Sequence, residues 1–235
     1  LHNDTHLGTL RAGDLLLVDA GAEHNGWASD VTRTWPVTGR FSATQRAIYE
    51  LVLHVQVEAC DRVRAGARYR DIHLGAGVTL ARGLVDLGIL HGDPEGLVER
   101  GAHALFFPHG LGHIIGLDVH DMEDLGDRAG YQAGRSRSEQ FGLGYLRLDR
   151  DLEPGMIVTI EPGFYQVPAI LNHEELGGKF ARDGTLSRSA LERFHDVRGI
   201  RIEDDVLCTG GDPDVLTHDI PKDPAGVESQ VGAAR

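Results

Sequence analysis

Four carboxylates in this sequence are placed where they can do chemistry together. Asp19 closes the apolar run Leu15 to Asp19, and Glu161 closes the run Ile157 to Glu161. Each run reads as a short buried strand. An ionised carboxylate buried at a strand end is costly unless it is paired or holds a metal. The two runs also match each other. Gly13 to Asp19 and Gly155 to Glu161 each place a carboxylate six residues after a glycine, with a second glycine two residues later. Each is followed by another strand with an internal carboxylate, Asp30 and Glu203. The pattern describes two similar halves that each deliver two carboxylates to a shared centre. No set of basic residues obviously serves all four, whereas two divalent cations would neutralise them. A single strand-end Asp ordinarily caps a turn; four at matched places favour a metal.

The histidines point the same way. His109, His113 and His120 fall within one glycine-rich segment. The spacing is not that of a zincin helix, because Gly110 stands where HExxH needs Glu, and two glycines between histidines disfavour a helix. Nor is it a phosphate loop, since the GxGxxG spacing fails and no Walker lysine follows. His54, His73, His91, His195 and His218 read as surface or satisfied core residues. Arg201 lies two residues before Glu203, so on a strand it faces the same side, where it can orient Glu203 or a substrate carboxylate, or else form a surface salt bridge.

The elements that must position these groups follow from local pattern. A turn precedes the strand at Leu15, and Trp27 to Trp35 reads as a second strand ending at Pro36. Ser42 caps a long helix whose Ile48, Leu51, Val52, Val55 and Ala59 share one face. Arg70 to Leu87 reads as a second helix, and Asp93-Pro94-Glu95 as the start of a third. Phe106 to Asp121 has a β-like apolar pattern, Gly126 to Leu146 reads as a loop, and Gly199 to Thr209 as a strand. The tail after Lys222 is small and polar and is expected to fray.

Composition narrows the function. With 23 Lys+Arg against 36 Asp+Glu the net charge is −13, which excludes the basic footprint of a nucleic-acid binder and a polybasic membrane attachment. No apolar run is long enough to span a bilayer. Cys60 and Cys208 are too few and too far apart to staple a chain of 235 residues, which fits a reducing, cytoplasmic compartment.

The motifs LHNDTH, LLLVDAGAEHNGWASDVTRTWP, FFPHGLGHIIGLDVHD, LEPGMIVTIEPGFY and GIRIEDDVLCT occur in this order from His2 to Thr209. Together they resemble the pita-bread metallopeptidases, specifically aminopeptidase P and prolidase. The resemblance implies an α+β fold of two pseudo-symmetric halves, with a curved antiparallel sheet backed by helices. This domain would cover residues 1–221, with 222–235 as a flexible tail and the family's usual N-terminal domain outside this chain. It implies that Asp19 binds one metal, that Asp30 and Glu203 bridge two, and that His113 and Glu161 complete the second site. Manganese suits such a site, with zinc, cobalt or iron as alternatives. Glu161, His120, His109 and His2 would be catalytic; His2, His109, His120 and Arg201 would contact substrate. The expected substrates are short peptides with proline at the second position, and the full-length protein is expected to be a homodimer. The alternatives are a prolidase restricted to dipeptides, an inactive peptide-binding module on the same fold, and a methionine aminopeptidase. Against the last stand the His109 to His113 spacing and Val119-His120-Asp121.

Overall fold

A computed structural model describes residues 8–232. Strand β1 (Leu15–Ala20) pairs antiparallel with β4 (Val31–Pro36), placing Asp19 opposite Thr32. Between them β2 (Glu23–His24) and β3 (Trp27–Ala28) form a small hairpin. Its turn is Asn25-Gly26, both with positive φ (53° and 84°), the backbone that Asn-Gly adopts at least cost. The expected strand from Trp27 is thus interrupted at Ser29-Asp30.

Helix α1 (Ala43–Asp61) begins with the cap read from the sequence. The Ser42 hydroxyl accepts the Gln45 N–H while the Gln45 side chain accepts the Ser42 N–H. Its Ile48, Val52, Val55 and Ala59 are buried and Leu51 is half-buried. Helix α2 (Tyr69–Asp86) packs on it, and α3 (Pro94–Glu99), capped by Asp93, packs on α2, completing a helical layer. The Gly126 to Leu146 segment is largely irregular. It holds only α4 (Asp127–Gly130) and a single 3₁₀ turn at Leu143–Tyr145, yet Leu143 and Leu146 are buried.

The second half begins with β5 (Ile157–Ile160) and β6 (Gly163–Tyr165). The short helices α5 (Pro168–Leu171), α6 (Lys179–Arg182) and α7 (Arg188–Glu192) follow. Gly199 to Thr209 is two strands rather than one. In it β7 (Gly199–Arg201) pairs with β6, while β8 (Asp204–Leu207) pairs with β5 and with β9 (Asp214–Val215). The change of partner falls at Ile202-Glu203. The expectation of a frayed tail fails over Pro224–Gly232, which forms α8. Val227 is fully buried there, and Glu228 pairs with Arg46 at 2.6 Å and accepts the Phe41 N–H.

Two further expectations need correction. The β-like pattern of Phe106 to Asp121 is realised only beside β5. There the Leu111 and His113 carbonyls accept the Glu161 and Thr159 N–H groups, and the Ile115 N–H donates to Ile157. Gly112 explains the irregularity, since a Cβ there would meet the Thr159 carbonyl at 2.1 Å. And β1 is not buried: Leu16 is 37% and Val18 38% exposed, whereas Val158 and Ile160 of β5 are at 0%. Helix α1 packs against β5, β6 and β7, while β1 packs on β4 and β7. No described helix is long and apolar enough to cross a membrane.

Candidate metal centre

The centre lies where the two strand systems meet. Asp30 stands at the head of β4 and Glu203 between β7 and β8, and the Glu203 N–H donates to the Thr32 carbonyl at 3.1 Å, stitching the halves together. His113 comes from the segment alongside β5, and Glu161 immediately follows that strand. Donor atoms of Asp30, His113 and Glu203 all lie within 4.8 Å of one another, and all three residues are buried. His113 Nε2 is 3.4 Å from Asp30 Oδ2 and 3.6 Å from Glu161 Oε1. Its Nδ1 is 3.0 Å from the Ile114 carbonyl, which can only accept. That contact places a proton on Nδ1 and leaves Nε2 facing the carboxylates, as a hydrogen-bond donor when the ring is protonated and as a lone pair for a cation when it is not.

Arg201 enters this cluster rather than the surface. Only 5% exposed, it pairs with Asp19, and its Nε is 3.7 Å from Glu203 and 4.0 Å from Glu161. Three carboxylates, Asp19, Glu161 and Glu203, therefore surround one guanidinium. Burial, with the charges of Glu161 and Asp30, holds the Glu203 carboxyl well above the usual range. Burial likewise pushes Glu161 up to about 7, with Asp30 and Asp19 acting in the same direction. Burial would raise Asp30 too, but the hydrogen bond and charge of His113 outweigh it and hold Asp30 low. His113 is raised because Asp30 and Glu161 overcome the penalty of burial. This surplus of negative field in a dry site favours a cation. An oxygen-rich donor set with one imidazole fits a divalent metal of the manganese-to-zinc range.

A cavity of about 830 Å³ opens onto the centre and is lined by Asp19, Asp30, His113, Glu161, Arg201 and Glu203. His109 and His120 lie on its walls. Burial drives His109 down to about 3, so it is neutral; its Nδ1 faces the Gly110 carbonyl at 2.7 Å, leaving Nε2 to accept from the Tyr165 hydroxyl at 3.1 Å. His120 is 39% exposed at its side chain, stacks edge-on against His113 with ring centroids 4.3 Å apart, and pairs with Glu123 at 2.9 Å. Partial burial and the charge of His113 lower its pKa. His2 lies outside the described residues.

Sequence reading missed Thr32, Tyr165 and Asp205. The Thr32 hydroxyl bonds Glu203 and Arg201, Tyr165 links His109 to Arg201, and Asp205 accepts the Asp30 N–H. The available signal was period two, since Thr32 and Asp205 each follow a candidate ligand by two residues. His73 also departs from expectation. It is 1% exposed with neither ring nitrogen partnered among the described residues, beside a similarly buried His103, so it is not a satisfied core histidine there. His54, His91, His195 and His218 are exposed, as expected.

Fold and centre together define an α+β pita-bread domain with a carboxylate-imidazole metal centre. The profile of metallopeptidase family M24 matches residues 1–210, and the chain belongs to that family. It is 38% identical over 209 residues to a human Xaa-Pro dipeptidase, covering 89% of this chain and 41% of that protein. It is 39% identical over 224 residues to a probable Xaa-Pro aminopeptidase of Ajellomyces capsulatus, covering 94% of this chain and 45% of that protein. A zinc-substituted E. coli aminopeptidase P in complex with product superimposes with a TM-score of 0.77 at 36% identity, covering 100% of this chain and 45% of that one. The chain thus spans less than half the length of these relatives.

Proposed function

We propose that this chain is the catalytic part of a dinuclear-metal Xaa-Pro aminopeptidase, hydrolysing the bond between an N-terminal residue and proline. The observation that carries the reading is the convergence of Asp19, Asp30, His113, Glu161 and Glu203 on one cavity, four of them carboxylates and three of those around a single arginine. In this reading Asp19 would hold one metal, His113 and Glu161 the other, with Asp30 and Glu203 as further ligands; manganese is the preferred ion. Bound divalent cations would lower the pKa of a water and polarise the scissile carbonyl. Glu161, at the edge of the centre, would carry the proton to the leaving proline nitrogen. His120 donates to the substrate carbonyl, with His2 assigned the same task, and neutral His109 lines the proline pocket. Arg201, engaged by Asp19, orients the carboxylates rather than binding a substrate carboxylate. Two buried free cysteines support a reducing, cytoplasmic compartment.

A prolidase is the second reading, favoured by one observation. Arg137 and Arg147 line the same cavity, where either can meet the free carboxylate of a dipeptide. The test is hydrolysis of Gly-Pro, Xaa-Pro-Xaa and Met-Ala peptides with added Mn²⁺, beside Asp30→Ala. Cleavage at Xaa-Pro that vanishes in the variant supports the two-metal peptidase, and faster turnover of the dipeptide selects prolidase. Cleavage of Met-Ala alone selects a methionine aminopeptidase. The absence of both cleavage and metal uptake overturns the enzymatic reading in favour of a binding module.

A further inference from the structure

We propose that Thr32 and Asp205 are positioning residues that clamp the two central carboxylates crosswise, each half of the molecule holding the other half's ligand. The proposal rests on the metal-centre reading above. Asp30 and Thr32 belong to the first half, Glu203 and Asp205 to the second, and in each the clamp follows the ligand by two residues. The bonds cross between halves. The Thr32 hydroxyl bonds Glu203 Oε2, and the Asp205 carboxylate accepts the Asp30 N–H at 3.1 Å.

With Glu203 ionised, as a metal ligand must be, the direction of the Thr32 bond is fixed. Arg201 Nε, 3.0 Å from the Thr32 oxygen, can only donate, so the single hydroxyl proton goes to Glu203. Thr32 is fully buried, so no solvent competes for that proton. It therefore fixes one oxygen of Glu203 and at the same time seats the guanidinium that faces Asp19 and Glu161. Asp205 is 4% exposed, and its Oδ1 has no partner among the described residues. A carboxylate buried with one oxygen unmet is unfavourable for stability. Its use is the bond to Asp30, which sets the backbone from which that ligand projects.

The test compares Thr32→Val, Thr32→Ala, Thr32→Ser and Asp205→Ala in the full chain. Mn²⁺ affinity and stoichiometry are measured by calorimetry on metal-stripped protein, and kcat and KM on an Xaa-Pro peptide. Removing the hydroxyl or the Asp205 carboxylate should weaken Mn²⁺ binding by about 10- to 100-fold. It should lower kcat while leaving KM within about twofold, because the substrate-contacting residues are untouched. Thr32→Ser, which keeps the hydroxyl, should restore both. Thr32→Val or Thr32→Ala binding Mn²⁺ like the parent would overturn the clamp, as would Thr32→Ser failing as badly as Thr32→Val, since packing of the methyl would then be the cause. Thr32→Ala keeps the comparison open should valine prevent folding. A parent chain that takes up no Mn²⁺ overturns the functional reading itself, whereas loss of the clamp alone leaves parent uptake intact.

Discussion

Strand β1 and strand β5 deliver equivalent carboxylates, Asp19 and Glu161, from matched stretches of sequence, and their surroundings are opposite. β5 has a hydrogen-bonded neighbour on each edge, β8 on one side and the Leu111 to Ile115 segment on the other, with α1 packed against it. β1 pairs only with β4 among the described residues, and Leu16 and Val18 face outward. An apolar run shows that a strand is able to be buried. Whether it is buried depends on neighbours supplied from elsewhere in the chain.

The largest effect should come from the ligands at the seam. Asp30→Ala and Glu203→Ala remove corresponding carboxylates of the two halves, and each should lower kcat/KM and Mn²⁺ uptake by about 10²-fold or more, beyond the loss expected for a supporting residue. Similar losses would uphold the functional equivalence of the halves; a large loss in one alone would break it. Stability sharpens the contrast next. Ile160→Ala in β5 should cost about 2–5 kcal/mol in urea denaturation, because it opens a cavity in a filled core. Val18→Ala in β1 should stay within about 0.5 kcal/mol. Equal costs would mean that β1 is covered in solution.

The smallest effect concerns the helical layer beneath the second half. Burial holds His73 down to about 3 and His103 to about 4, against 6.5 for a free imidazole. The unfolded chain therefore binds more protons below pH 6.5. Stability from keeping these rings neutral is fully present above that pH and falls as pH drops toward 4, by about 1.4 kcal/mol per unit for each ring. His73→Leu should flatten the slope of thermal midpoint against pH by one ring's share. It should not destabilise the protein at pH 7, because a partnerless polar group is removed. An unchanged slope would refute this.

Much of the candidate centre was legible because its proposed ligands are marked locally. Asp19 and Glu161 end apolar runs, and His113 lies among glycines that permit close approach to β5, so type and spacing single them out. The cap of α1 was legible for the same reason, since Ser42 and Gln45 satisfy each other within one turn. The tail was misread because Val227 and Glu228 gain their meaning from Phe41, Arg40 and Arg46. Composition alone made that segment look unanchored.

The sequence by itself determined which groups would meet, namely four carboxylates and an imidazole on or beside the strands of two similar halves, and that so much negative charge calls for cations. Only the tertiary structure decided how they are held. The bonds from Thr32 to Glu203 and from Asp30 to Asp205 join residues 171 and 175 positions apart. Arg201 finds Asp19 across 182. No period or cap reaches so far along a chain, because helix and strand patterns report only neighbours a few residues away. Contacts between halves exist only once the core has brought the halves together.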